Sequence, residues 1–301
     1  MKTLVLLALV GLGAQLVDGS LGMAYGVTST TLLLAFGAHP AVASATVHIA
    51  EIGTTLASGV AHWRFGNVDW NVVGKLAVPG AAGAFLGATV LSRLSTGAAA
   101  PVMSLILLVL GMYVLVRFTF QIIPPVSGLP LRKRFLVPLG FVAGFTDATG
   151  GGGWGPVGTP AILASGRLEP RKVVGSIDTS EFVVSVAASA GFLISLGSAG
   201  IDAWWVSALL AGGLVAAPVA AWLVRRLPPR MLGSLVGGLI VLTNARTLLR
   251  GDWIGATGAV QSATYAVITV GWAAAVAWSL QSHLRAKGLA PAAVREPDTA
   301  V

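Results

Sequence analysis

Apolar runs, parted by short polar or glycine-rich segments, fill the chain from end to end. Five of them, at residues 3–17, 23–36, 41–61, 72–91 and 102–118, are followed by five more at 135–146, 156–164, 173–196, 203–224 and 231–249. A last run covers 256–280. Stretches such as 105–116 are unbroken, whereas a membrane barrel strand alternates apolar with polar residues. A helix needs about 20 apolar residues to cross a bilayer, so a chain of this size holds about seven to ten crossings. The first two runs of each five are too short to cross comfortably, and a glycine-bearing segment separates them. That pattern predicts a broken helix or a re-entrant hairpin. Non-helical backbone survives at membrane depth only where protein or a wet cavity satisfies its polar groups.

The two sets of five repeat one plan. At a constant offset Asp18, Gly22, Gly26 and Thr30 fall on Asp147, Gly151, Gly155 and Thr159, and Tyr25 falls on Trp154. One inserted residue later, Pro40 meets Pro170 and Glu51 meets Glu181; further on, Asp69 matches Asp202 and Arg93 matches Arg226. Most matched positions are polar, Gly or Pro, which a chance overlap of two greasy stretches would not favour. The expected organisation is a first membrane repeat at 1–120 and a cytoplasmic linker at 121–134, carrying Pro124, Pro125, Gly128 and Pro130. A second repeat follows at 135–250, then an extra transmembrane helix at 256–283 and a flexible cytoplasmic tail at 284–301. Residues 1–19 resemble a secretory signal, but their intact counterpart in the second repeat argues against cleavage.

Composition agrees with a membrane chain. Of 301 residues, 55% are hydrophobic and only 10% charged, and the mean hydropathy is +0.84. A soluble domain carries about 25% charged residues, so that class is excluded. The net charge of +8 would suit a nucleic-acid partner, yet the basic residues gather in short loops, as the positive-inside rule requires. No nucleic-acid partner is expected. If each short pair enters and leaves on one side, all but Lys2, Arg93, Arg246 and Arg250 of the 19 basic residues share a face. That places the carboxyl terminus in the cytoplasm of a multi-pass cell-membrane protein and turns the second half over relative to the first. The fold class is therefore an all-α polytopic membrane helical bundle of two inverted-topology repeats, an architecture of secondary transporters. Cysteine is absent, which excludes disulfides and thiolate chemistry.

Candidate chemistry lies where polar residues interrupt the apolar runs. Gly150, Gly151, Gly152, Gly153, Trp154 and Gly155 lead into Pro156, a residue suited to a first helical turn. Exposed N–H groups at such a start attract an anion; tight glycine packing between helices is the other reading. Glu51 and Glu181 sit inside spans, with His48 and Asp178 three residues before them and Thr55 and Ser185 four after, so each set shares a helix face. An acid at mid-span costs roughly 2.5–3.5 kcal/mol on insertion scales and is a functional candidate by default. Burial favours the uncharged carboxyl, so proton-linked cycling relieves the repulsion between such acids and an anion. Asp18 and Asp147 either cap the following turn or take part in coupling; Asp69 and Asp202 read as caps. Ser20, Tyr25, Thr30, His48, Thr159 and Asp178 complete the expected substrate contacts, and Glu51, Glu181, Asp18 and Asp147 the expected proton-coupling set. Trp154 packs on substrate or on protein, while Trp63, Trp70, Trp253 and Trp272 fit interfacial belts. Gly83 with Gly87, and Gly233 with Gly237, fit small-residue helix packing, within one chain or between two. No nucleophile or zinc-protease motif is present, His39, His48, His62 and His283 are scattered, and His48 with Glu51 falls short of a metal site. No cofactor is expected.

Residues 140–144 (Gly-Phe-Val-Ala-Gly), the glycine run within 147–160 and residues 174–181 (Val-Gly-Ser-Ile-Asp-Thr-Ser-Glu) resemble the sulfite exporter TauE/SafE family. The resemblance covers almost the whole chain up to about His283. The first-half motif at 19–26 departs from it by lacking the glycine run. The resemblance implies a secondary transporter for a small sulfur-containing anion, such as sulfite, sulfoacetate or another organosulfonate, and is compatible with a homodimer. A passive anion channel would share these features; an intramembrane enzyme is the more distant alternative.

Overall fold

The computed structural model describes residues 2–21, 23–120, 130–197, 201–223, 229–251 and 253–288. Gly22, most of the linker, Arg225, Arg226 and the tail from 289 lie outside them. The described residues form eleven helices and no strand. The first five are α1 (Lys2–Leu21), α2 (Tyr25–Ala35), α3 (Pro40–Arg64), α4 (Trp70–Arg93) and α5 (Thr96–Phe120). The next five are α6 (Lys133–Gly150), α7 (Trp154–Ala164), α8 (Pro170–Leu196), α9 (Ala203–Leu223) and α10 (Pro229–Arg250), and α11 (Gly258–Gly288) ends the bundle. Long, short, long, long, long is the rhythm of both halves.

Local signals start the helices where the sequence places them. Pro40 and Pro170 open α3 and α8 at the first turn, where a missing N–H costs nothing. Asp69 Oδ1 accepts from Asn71 and Val72 N–H at the start of α4, and Asp202 Oδ1 accepts from Trp204 N–H at 2.8 Å at the start of α9. Both are caps. One expectation changes: only the second helix of each short pair is short. α1 has 20 residues and α6 has 18, about 30 and 27 Å of helix, because the polar turns after Asp18 and Asp147 remain helical. α2 and α7 have 11 residues each, about half a bilayer. Among the described residues, Trp70–Arg93, Gly97–Phe120, Arg171–Leu196 and Gly258–Arg285 are long and apolar enough to cross a membrane. α3 is as long, but it carries the polar stripe around Glu51.

Packing exchanges elements between the halves. α1 lies on α9, and its counterpart α6 lies on α4, which is the counterpart of α9. Gly11 of α1 seats against the carbonyl of Leu209, and the matching Gly140 of α6 seats against the carbonyl of the matching Leu76. α5 pairs with its counterpart α10, and α3 with α8. The last pair runs in opposite chain directions: His48 meets Phe192, Gly59 meets Thr179 and His62 meets Asp178. The glycine pairs act within one chain: Gly83 and Gly87 abut Phe141 and Phe145 of α6, while Gly233 and Gly237 abut Phe118 and Leu115 of α5. Trp63, Trp70 and Trp253 are exposed. Trp272 is no belt residue: its Nε1 donates to the Ser234 carbonyl at 3.0 Å and its ring covers Gly238, holding α11 on α10.

At Gly144 an added methyl would overlap the carbonyl of Gly80, so the α4–α6 crossing depends on bare backbone. Gly144→Ala should therefore lower stability by roughly 1–3 kcal/mol. Gly271→Ala in α11, where nothing stands within reach, should not. Thermal unfolding of the purified protein in detergent compares the two.

Candidate functional site

Both helix breaks are tied by the same device, an aspartate reaching seven residues forward. Tyr25 N–H donates to Asp18 Oδ1 at 3.2 Å. In the second half Gly153 and Trp154 N–H donate to Asp147 Oδ1 at 2.7 and 3.1 Å. The main-chain carbonyl of Asp147 accepts from Gly151 and Gly152 as well. Gly151 and Gly152 have φ of 69° and 144°, values that favour glycine. The first break turns instead on Ala24 at φ 102°, a strained value for a residue with a Cβ.

The two breaks meet at the centre of the bundle. A Cβ on Gly26 would stand 2.7 Å from Gly152 Cα and 2.9 Å from Glu51 Oε1. Thr30 Oγ1 donates to the Gly151 carbonyl, and Ser44 Oγ donates to the Ala148 carbonyl at 2.7 Å. The expected backbone cradle is thus corrected in one respect. The N–H groups of Gly151, Gly152, Gly153 and Trp154 are held by Asp147 itself. Trp154 is 1% exposed, its Nε1 donates to the Ile177 carbonyl at 2.9 Å and its ring lies over Gly80, so it packs on protein. Tyr25 is buried as well, its hydroxyl facing the Leu209 carbonyl. Thr159 Oγ1 is buried without a partner. Ser20 lies in α1, but its side chain is outside the described part of the structure.

His48 connects the halves. Its Nδ1 lies 2.8 Å from the Ser44 carbonyl and its Nε2 lies 3.1 Å from Asp147 Oδ2, with neither His48 nor Asp147 reached by solvent. A carbonyl only accepts, so Nδ1 carries a proton. The contact between Nε2 and Oδ2 then holds a single proton, on one atom or the other.

Around this pair lie the remaining acids. Glu51 is 1% exposed, and neither of its carboxyl oxygens has a partner. His48, Asp147 and Asp18 are within electrostatic reach of Glu51, and Ser185, itself buried and unpartnered, faces it. Glu181 is half-buried and within reach of Glu51, Asp147, Asp18 and Asp178. Asp178 is buried, with Ser58 facing it. Glu51, Asp178 and Glu181 therefore share one polar seam between α3 and α8, with Asp18 of α1 and Asp147 of α6 within electrostatic reach of it. Thr55 Oγ1 is spent within α3 on the Glu51 carbonyl. Among the described residues no three His, Asp or Glu side chains could hold a metal ion.

Two residues of the seam escaped the sequence reading. Ser44 fixes both the His48 ring and the end of α6. His62 Nε2 stands 3.7 Å from Asp178 Oδ2. A signal existed for it: His62 follows His48 by about four helical turns and so returns to the same face.

The family model for sulfite exporter TauE/SafE matches residues 7–247. The chain belongs to the TauE/SafE family. It is also 57% identical over 282 residues to "Probable membrane transporter protein YtnM" of Bacillus subtilis (strain 168), a match covering 93% of each chain. No solved structure matches it significantly. This TauE/SafE chain is accordingly a multi-pass membrane transporter, and the family match takes in both breaks and the α3–α8 seam while leaving out α11.

Asp147→Ala removes the acceptor of two buried N–H groups, at about 1–3 kcal/mol each. Asp147→Asn keeps an oxygen there, though a weaker acceptor, and should lose distinctly less. Thermal melts in detergent read the difference; equal losses would place the stabilising interaction elsewhere.

Proposed function

We propose that the protein is a proton-coupled secondary transporter carrying a small sulfur-containing anion, such as sulfite, sulfoacetate or another organosulfonate, across the cell membrane. Two inverted repeats present their helix breaks to a shared central site, and the carboxyl terminus lies in the cytoplasm. The sulfur anion is the reading that the family name supports.

One observation carries the coupling: Asp147 Oδ1 sits on the first N–H groups of α7, with His48 behind its other oxygen. A helix N-terminus at membrane depth is an anion site, and here a side-chain carboxylate fills it. When the pair takes up a second proton, so that Oδ2 is protonated while Nε2 keeps its own, the carboxylate loses its charge and its grip on Gly153 and Trp154 weakens. An oxyanion can then take those donors. Thr159 Oγ1, free on α7, is a further donor. Proton and anion thus assist each other's binding. Glu51 and Glu181 hold the additional protons, since several carboxylates ionised together at this depth would repel both one another and the anion.

Purified protein in proteoliposomes tests the reading with radiolabelled sulfite and sulfoacetate. An inward acid gradient should drive accumulation above equilibrium. Glu181→Gln should lose that gradient-driven component while still folding and inserting. Flux that never runs uphill would make the protein a passive channel, and consumption of the anion in detergent without a gradient would make it an enzyme.

A further inference from the structure

The α3–α8 seam is symmetric in backbone but not in side chains. Glu51 faces Ser185 across it, and these two positions correspond to Glu181 and Thr55 under the repeat. Towards one end, the pair is His48 and Phe192, with ring centroids 6.0 Å apart and both residues fully buried. Under the same correspondence this pair maps onto Asp178 and His62 at the other end. There the aromatic plug is replaced by a second imidazole, whose side chain is 26% exposed. The seam is sealed by Phe192 at one end and titratable at the other.

We propose that His62, paired with Asp178, is the port through which protons pass between water and the buried carboxyls. The proposal rests on the proton-coupled reading above and names the side from which that site is served. α3 ends at Arg64 and α4 is capped by Asp69, so His62 lies within one turn of a helix end, at the level of the loops. That end carries Arg64, Lys75, Arg171 and Lys172, the basic face assigned to the cytoplasm. Asp178 of α8 is the titratable group facing His62, and Arg64 follows it on its own helix. His62 Nδ1 and Asp178 Oδ2 are buried without a hydrogen-bond partner, and His62 Nε2 stands 3.7 Å from Asp178 Oδ2.

The step is a simple relay. Neutral His62 takes a proton from water, becomes an imidazolium and passes that proton to the Asp178 carboxylate, returning to neutral. Asp178 is electrostatically coupled to Glu181 and Asp18, and these to Glu51 and the His48–Asp147 pair, so a proton gained at Asp178 is felt across the whole set. Loss of His62 should leave the carboxyls in place but slow their exchange with solvent.

The test needs no transported anion. Full-length protein in nanodiscs is moved from H₂O to D₂O, and the infrared C=O stretch of its protonated carboxyls is followed with time. His62→Phe, which copies the sealed end, should slow the shift of that band at least tenfold. His62→Gln keeps a polar side chain that carries no proton; it should slow the shift too and serves if the Phe variant does not fold. Wild-type exchange rates in a folded variant, or no exchangeable carboxyl band in the wild type, would overturn the port. Slowed exchange in a protein that moves no anion against a gradient would leave the port standing and remove the coupled-transport reading instead.

Discussion

Everything at the centre of this bundle depends on how one residue satisfies four backbone donors. Between α6 and α7 the chain stops being helical where no water can replace the lost hydrogen bonds, and each bare N–H there would cost several kcal/mol. Asp147 takes Gly151 and Gly152 on its main-chain oxygen and Gly153 and Trp154 on its carboxylate. Reaching all four requires a turn so tight that two residues have positive φ, which accounts for the glycines. The same tightness brings Gly152 against Gly26 of the other break, so the two halves lock through backbone where side chains would not fit. Ser44, Thr30 and His48 then fasten this turn to the first half.

That origin explains which features were legible in the sequence. Polar residues inside apolar runs are expensive, so Asp18, Glu51, Asp147, Asp178 and Glu181 stood out, and the repeat doubled most of them. The caps at Asp69 and Asp202 were local signals and read correctly. The longer α1 and α6 were not, because apolar periodicity sees Asp18–Leu21 and Asp147–Gly150 as loop, whereas the forward-reaching carboxylate lets those turns stay helical. The partner of Asp147 was hidden for a different reason. His48 lies in the other half, and the sequence offers no measure of which stripe meets which break. Trp272 was misread because an indole at a lipid boundary and one donating to a neighbouring helix look alike in one dimension.

The two halves agree in some contacts and differ in others. Contacts that set helix spacing recur in both copies: Gly11 on Leu209 and Gly140 on Leu76 are the same joint made twice. Contacts around the seam do not. Thr30 is bound to Gly151 while its counterpart Thr159 is left free, and among the described residues Asp147 Oδ1 takes two N–H groups where Asp18 Oδ1 takes that of Tyr25. Divergence in the seam sets Phe192 against His48 at one end and a partly exposed imidazole, His62, against Asp178 at the other. The glycine joints need only the absence of a side chain, so both halves can make them with the same backbone, whereas each seam contact depends on the particular pair of side chains that meet there.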